Sequence, residues 1–216
     1  MKTKLLIALF IFQSYGSYSQ QKVDYSILAG INFNKAETNF SNDNLNTLLG
    51  INGALQLQYH FNEKFSIKNR VQINQKGFKF KDLLIEYPDM SIGRADLLMR
   101  FDYVDIKVLP SLNFGNKAKI STYFGPSLGF LTESSLVTKY KEGSLNGTQN
   151  NNSTGSEYRK NINLGMTVGM SSRFSLSSKL SLSFDVLYDH GFTNVIKNGK
   201  TKLRTVSISP GLIFTP

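Results

Sequence analysis

The sequence predicts an all-β fold: an eight-stranded antiparallel up-and-down transmembrane β-barrel with short periplasmic turns and four longer outer loops. Three observations predict it. The chain opens with an export signal. Apolar and polar residues then alternate with period two in eight separate segments. The connections between those segments are short and long in turn, the pattern of an outer-membrane meander. Composition agrees. The 216 residues suit a single domain, and 16 Phe, 10 Tyr and 17 Gly suit sheets better than long helices. With no Cys, the chain holds no disulfide, thiol nucleophile, Cys-ligated zinc or iron–sulfur cluster.

Residues 1–19 read as the signal peptide and 20–216 as the barrel domain. Lys2 and Lys4 precede the apolar run Leu5 to Phe12, and the small residues Ser17 and Ser19 precede Gln20. The run is too short for a transmembrane helix, and no later stretch approaches the ~18 apolar residues such a helix needs.

The first strand places Tyr25, Ile27, Ala29, Ile31 and Phe33 on one face. The second places Leu49, Ile51, Gly53, Leu55, Leu57 and Tyr59 there, and the third Phe65, Ile67, Val71 and Ile73, with Asn69 interrupting. The fourth carries Val104, Ile106, Val108 and Pro110; the fifth Ile120, Phe124, Leu128 and Phe130. The sixth runs from Ile162 to Met170, the seventh from Leu180 to Tyr188, and the eighth carries Val206, Ile208, Leu212 and Phe214. The opposite faces are rich in Gly, Ser, Asn and Gln.

Short connections fall at Phe61 to Lys64, Asn113 to Lys119 and Ser175 to Lys179. Long ones fall at Asn34 to Thr47, Lys79 to Arg100, Thr132 to Lys160 and Gly191 to Thr201. All long loops therefore leave one end of the sheet. Closure follows from the bilayer, where an open edge would leave backbone groups unpaired.

On the polar faces, Lys68, Arg70, Asp105, Lys107 and Asp185 form a predicted charge ladder through the lumen, since buried charges must be paired. Tyr25, Phe33, Tyr59, Phe65, Phe101, Phe130, Tyr188 and Phe214 sit near strand ends and are predicted to form the interfacial girdles. Lys139, Lys141, Arg159 and Lys160 flank the third long loop near Glu133 and Glu157, where they would meet anionic lipopolysaccharide. The basic residues are spread out rather than gathered beside stacking aromatics, so no nucleic-acid surface is expected.

No enzyme is expected. The two His, His60 and His190, fall at opposite ends of the sheet. His190 lies beside Asp189 and Asp185, with Ser183 and Ser207 on neighbouring strands, the best available hydrolase set. Asp82, Glu86, Asp89 and Asp96 line the second long loop without the fixed spacing of a Ca²⁺ loop. No cofactor is predicted.

The strand Tyr25 to Asn34, with its Ala-Gly-Ile-Asn-Phe core, the segment Val71 to Phe80 with its Gln-Lys-Gly step, Tyr103 to Pro110, and Tyr123 to Gly129 together resemble PorT-family outer-membrane β-barrel proteins of Bacteroidetes. The resemblance implies the fold and an outer-membrane location. Some members of that family are linked to type IX secretion, but no residue set here carries that role over.

The expected function is that of a non-enzymatic structural or interaction protein acting through its outer loops. Its expected partners are outer-membrane lipids and lipopolysaccharide, with another envelope protein reached through the long loops. The alternatives are a narrow channel for ions or small solutes, and a soluble secreted lipocalin-like carrier of an apolar ligand.

Overall fold

The structure, a computed structural model, describes residues 23–39, 45–86, 92–115, 119–141, 147–152, 159–197 and 199–216. The expected signal segment lies outside them. The strands are β1 (Val23–Thr38), β2 (Leu45–Asn46), β3 (Leu48–His60), β4 (Phe65–Glu86), β5 (Ile92–Phe114), β6 (Lys119–Tyr140), β7 (Gly147–Asn152), β8 (Ile162–Ser175), β9 (Leu180–Gly191) and β10 (Thr201–Phe214).

The expected eight-stranded up-and-down barrel is corrected: these strands form one ten-stranded sheet. Its order is β2-β4-β3-β1-β10-β9-β8-β6-β5, and β7 lies off that path against β6. The two additional strands lie in stretches expected to be loops. β4 also pairs antiparallel with β5, from Phe65↔Leu112 to Glu86↔Ile92. Each of the eight longer strands therefore has a neighbour on both sides.

The alternation sets which face is inside. On β1, Tyr25, Ile27, Ile31 and Phe33 are exposed, while Asp24, Ser26, Asn32 and Asn34 are buried. Elsewhere Ile51 is 67% and Ile73 69% exposed, while Arg70 and Lys107 are at 1% and 0%. A polar interior under an apolar exterior is the inverse of a water-soluble sheet, and it suits hydrocarbon outside. Asn69 lies on the outer face between Leu57 and Val108. Nothing in the structure explains it.

The short turns carry their own fastenings. Asn62 Oδ1 accepts hydrogen bonds from the backbone N–H groups of Lys64 (2.9 Å) and Phe65 (2.8 Å). Ser177 Oγ does the same for Leu180 at 3.1 Å. Such side chains supply the acceptor that a tight turn leaves missing.

The long connections differ from expectation. Much of Lys79 to Arg100 is strand, because β4 and β5 continue past a register shift between Phe80 and Leu83, where Asp82 takes a φ of 52°. Thr132 to Lys160 holds the end of β6 and all of β7. These strands make an extension beyond the apolar band. Below it, Ala36, Phe78, Phe80, Phe101, Tyr103, Val195 and Leu203 form a buried cluster.

Phe101 is therefore not an interfacial aromatic. It is fully buried, with its ring 6.1 Å from that of Phe78. The reason is parity: Phe101 alternates in step with Asp105 and Lys107, not with Val104 and Ile106. Tyr25, Phe33, Phe65, Phe130 and Phe214 are exposed, and Tyr59 and Tyr188 half-buried.

Candidate functional site

The interior is stacked in polar layers, each built from strands far apart in sequence. At the turn end, Asp24 on β1 receives Arg173 of β8 at 2.6 Å, His60 of β3 at 2.9 Å and the Thr215 hydroxyl at 2.6 Å. Lys68 of β4 crosses to Ser171 of β8 (2.7 Å) and lies 4.5 Å from the Tyr123 ring centre.

The next layer is a fork. Arg70 donates to both carboxylate oxygens of Asp185, at 3.1 and 3.0 Å, and to Gln56 Oε1 at 2.7 and 3.0 Å. The Tyr123 hydroxyl lies 2.8 Å from Asp185. Small residues make room: a Cβ on Gly169 would lie 2.5 Å from the Tyr123 ring.

Above it, Lys107 pairs with Asp189 at 2.6 Å, and the Thr167 hydroxyl also donates to Asp189. Lys76 pairs with Asp105 at 2.7 Å, and Asn74 donates to the same Asp105 oxygen at 2.7 Å. An amide net follows, with Asn32 donating to Asn74 at 2.6 Å and Asn52 donating to Asn32 at 2.8 Å. The buried Phe78 and Phe101 cluster then ends the stack.

Lys68, Arg70, Asp105, Lys107 and Asp185 thus all lie inside. Arg70 and Asp185 meet each other. Asp105 and Lys107 do not, and take Lys76 and Asp189 instead. The sequence-derived ladder omits Lys76 and Asp189, although parity exposes both: Lys76 is in step with Gln72 and Asn74, and Asp189 with Asp185. The rim group of Asp24 and Arg173 has no sequence signal beyond parity.

The hydrolase set is not assembled. The His190 ring lies on the outer face with Tyr188 (3.2 Å from its hydroxyl) and Phe192, while Asp185 and Asp189 are engaged inside. Asp82 and Asp96, expected in a loop, stand on strands; Glu86 ends β4, and Asp89 lies outside the described residues. Lys141 reaches Asp82 at 2.6 Å and Asp96 at 2.8 Å, and Lys79 reaches Asp96 at 3.1 Å. Arg159 is buried against the Phe101 ring (5.5 Å), so it is not free to meet lipopolysaccharide.

Burial acts to raise the Asp96 pKa. Hydrogen bonds from Lys141, the Asp82 backbone and Lys79 outweigh it and hold the carboxyl at about 2. A depressed carboxylate stabilises the fold above its ordinary pKa of 3.8, and that contribution is lost as pH falls toward about 2. Amide protection in the β4–β5 extension, relative to the intrinsic exchange rate at each pH, is expected to fall across this window, and Asp96→Asn should remove that pH dependence.

At the turn end the interior opens into a cavity of about 460 Å³. The Arg70–Asp185 layer forms its floor. No group of three or more metal-ligating side chains occurs among the described residues.

A family model for the outer membrane protein β-barrel domain matches residues 18–197. No curated protein matches the chain. Among solved structures, a major outer membrane protein from Thermus thermophilus is 13% identical. It aligns over 90% of this chain and 99% of its own, with a TM-score of 0.51. The attachment invasion locus protein Ail of Yersinia pestis is 12% identical over 91% of this chain and 100% of its own, with a TM-score of 0.44. Neisserial surface protein A is 13% identical over 89% and 97%, with a TM-score of 0.42.

Proposed function

The chain belongs to the outer membrane protein β-barrel domain family and is an outer-membrane protein, and from that premise we propose that it works as a non-enzymatic structural or interaction protein, through the β4–β5–β6–β7 extension. One observation carries this reading. Past the cavity at the turn end, the interior is packed with paired charges and ends in an apolar cluster, while strand pairing continues past that cluster into the extension. The extension is the part of the fold offered to other molecules, with the turn end facing the periplasm. Outer-membrane lipid surrounds the apolar face, and lipopolysaccharide or another envelope protein meets the extension. The narrower likeness to PorT-family barrels rests on the segments quoted above and belongs to this proposal.

A channel is the weaker reading, since solute would have to cross the Arg70–Asp185 layer and the Phe78–Phe101 cluster. An apolar-ligand carrier needs an apolar interior, and this one is charged.

The absence of native Cys gives a clean test. A Lys139→Cys variant is expected to react with a membrane-impermeant maleimide on intact cells. A Lys64→Cys variant should react only after the outer membrane is permeabilised. The opposite labelling, or steady conductance of the purified protein in planar bilayers, would overturn the reading.

A further inference from the structure

The cavity at the turn end lies apart from the extension. It is polar, opens at the rim and is blind at the Arg70–Asp185 layer. Lys68, buried at 2% exposure, reaches into its wall yet makes no ion pair among the described residues. Four other interior cations each have a carboxylate: Arg70 has Asp185, Lys76 has Asp105, Lys107 has Asp189, and Arg173 has Asp24, while Arg159, at the opposite end, donates to the Ser134 hydroxyl and lies against the Phe101 ring. The Lys68 ammonium has three donors, and Ser171 takes one.

Two further groups line the same cavity without partners. The Ser26 and Ser183 hydroxyls are buried and make no hydrogen bond among the described residues. The three lie on β4, β1 and β9, so different parts of the chain bring them together. Asp185 acts on Lys68 only from beyond ion-pair distance, and a buried cation without a direct counter-ion is costly. A cation and two idle hydroxyls around a blind polar cavity form a site for an anion with several acceptor oxygens. The rim is not uniformly basic: Asp24 is already held by Arg173 and His60, and Glu63 and Lys119 line the mouth. Asp185 also lines the cavity but is already held in the Arg70 fork, so a free anion gains most beside Lys68.

We propose that this cavity binds a small oxyanion, a phosphate or carboxylate group carried on a compact hydroxyl-bearing molecule, with Lys68 as its anchor. The volume suits a ligand of sugar-phosphate size. The site stands at the end opposite the extension, so it does not depend on the reading above.

The test is calorimetric titration of the folded protein in a nonionic, phosphate-free detergent. The probes are inorganic phosphate, glucose 6-phosphate and glucose, with short-chain phosphatidylglycerol as the lipid arm. Saturable binding of the phosphate-bearing probes but not glucose is expected. Tighter binding of the lipid would assign a headgroup as the source, and tighter binding of glucose 6-phosphate a free solute. Lys68→Met should weaken binding by roughly tenfold or more, because a charge-assisted hydrogen bond is lost. A Ser26→Ala/Ser183→Ala variant, which keeps every charge, should weaken it by roughly two- to tenfold. Lys197→Gln, exposed and outside the cavity lining, should leave it unchanged. Retained heat-shifted gel migration establishes that each variant is folded. If no probe binds, or if folded Lys68→Met binds like the parent, the site does not exist.

Discussion

Replacing Arg70 with Met is expected to destabilise the folded protein by about 3–5 kcal/mol, the cost of stranding a buried charge. The variant leaves Asp185 buried with only the Tyr123 hydroxyl and the distant Lys68 to answer its charge. Gln56, which accepts two hydrogen bonds from the guanidinium, loses both. Reversible urea unfolding in lipid vesicles would measure the loss. The double variant Arg70→Met/Asp185→Leu should recover much of it, because removing both charges removes the desolvation cost as well as the attraction. If the single variant costs no more than a surface substitution, the layer is open to water and the floor of the cavity is not sealed.

The second large effect is expected on the outside. Val168 lies near the middle of β8, exposed, between Phe124 of β6 and Tyr188 of β9. Val168→Arg should cost about 2–4 kcal/mol if this face meets hydrocarbon at the bilayer midplane. In water the same substitution would fall within about 0.5 kcal/mol of neutral. Unfolding from vesicles, with Lys179→Arg at a turn as the control, separates the two environments. A neutral Val168→Arg would mean that the apolar face is not in lipid.

Much of the sheet is legible because period two is unambiguous where apolar and polar residues strictly alternate, as in β1, β3 and β8. The sequence reading fails where that contrast fades. Beyond Phe80 both faces of β4 and β5 leave the membrane. Leu83, Leu84, Leu97 and Leu98 break the alternation, and strand there looks like loop. β7 reads Gly-Thr-Gln-Asn-Asn-Asn, which has no apolar face at all. Its strand character comes from pairing with β6, which a single sequence does not display. The interior is legible as a face but not as a set of partners. Asp105 and Lys107 are neighbours in parity and invite pairing, but side chains two apart on a strand point alike and reach across to other strands instead. Lys68 shows the limit most clearly: nothing in its local sequence marks it as the cation left over.

The ladder between β1 and β10 carries a consequence for how the molecule is made. Tyr25 pairs with Phe214 and Thr38 with Thr201, so the earliest strand in the chain must find the latest. No hairpin can stand in for that contact, and it closes the longest loop in the fold. Until β10 arrives, β1 and β9 each present a bare backbone edge, an invitation to aggregate. The chain must therefore be kept soluble through its whole passage across the periplasm and complete its fold only after the last strand is delivered. Assembly should be slow, and it should depend more on the final strand than on any other.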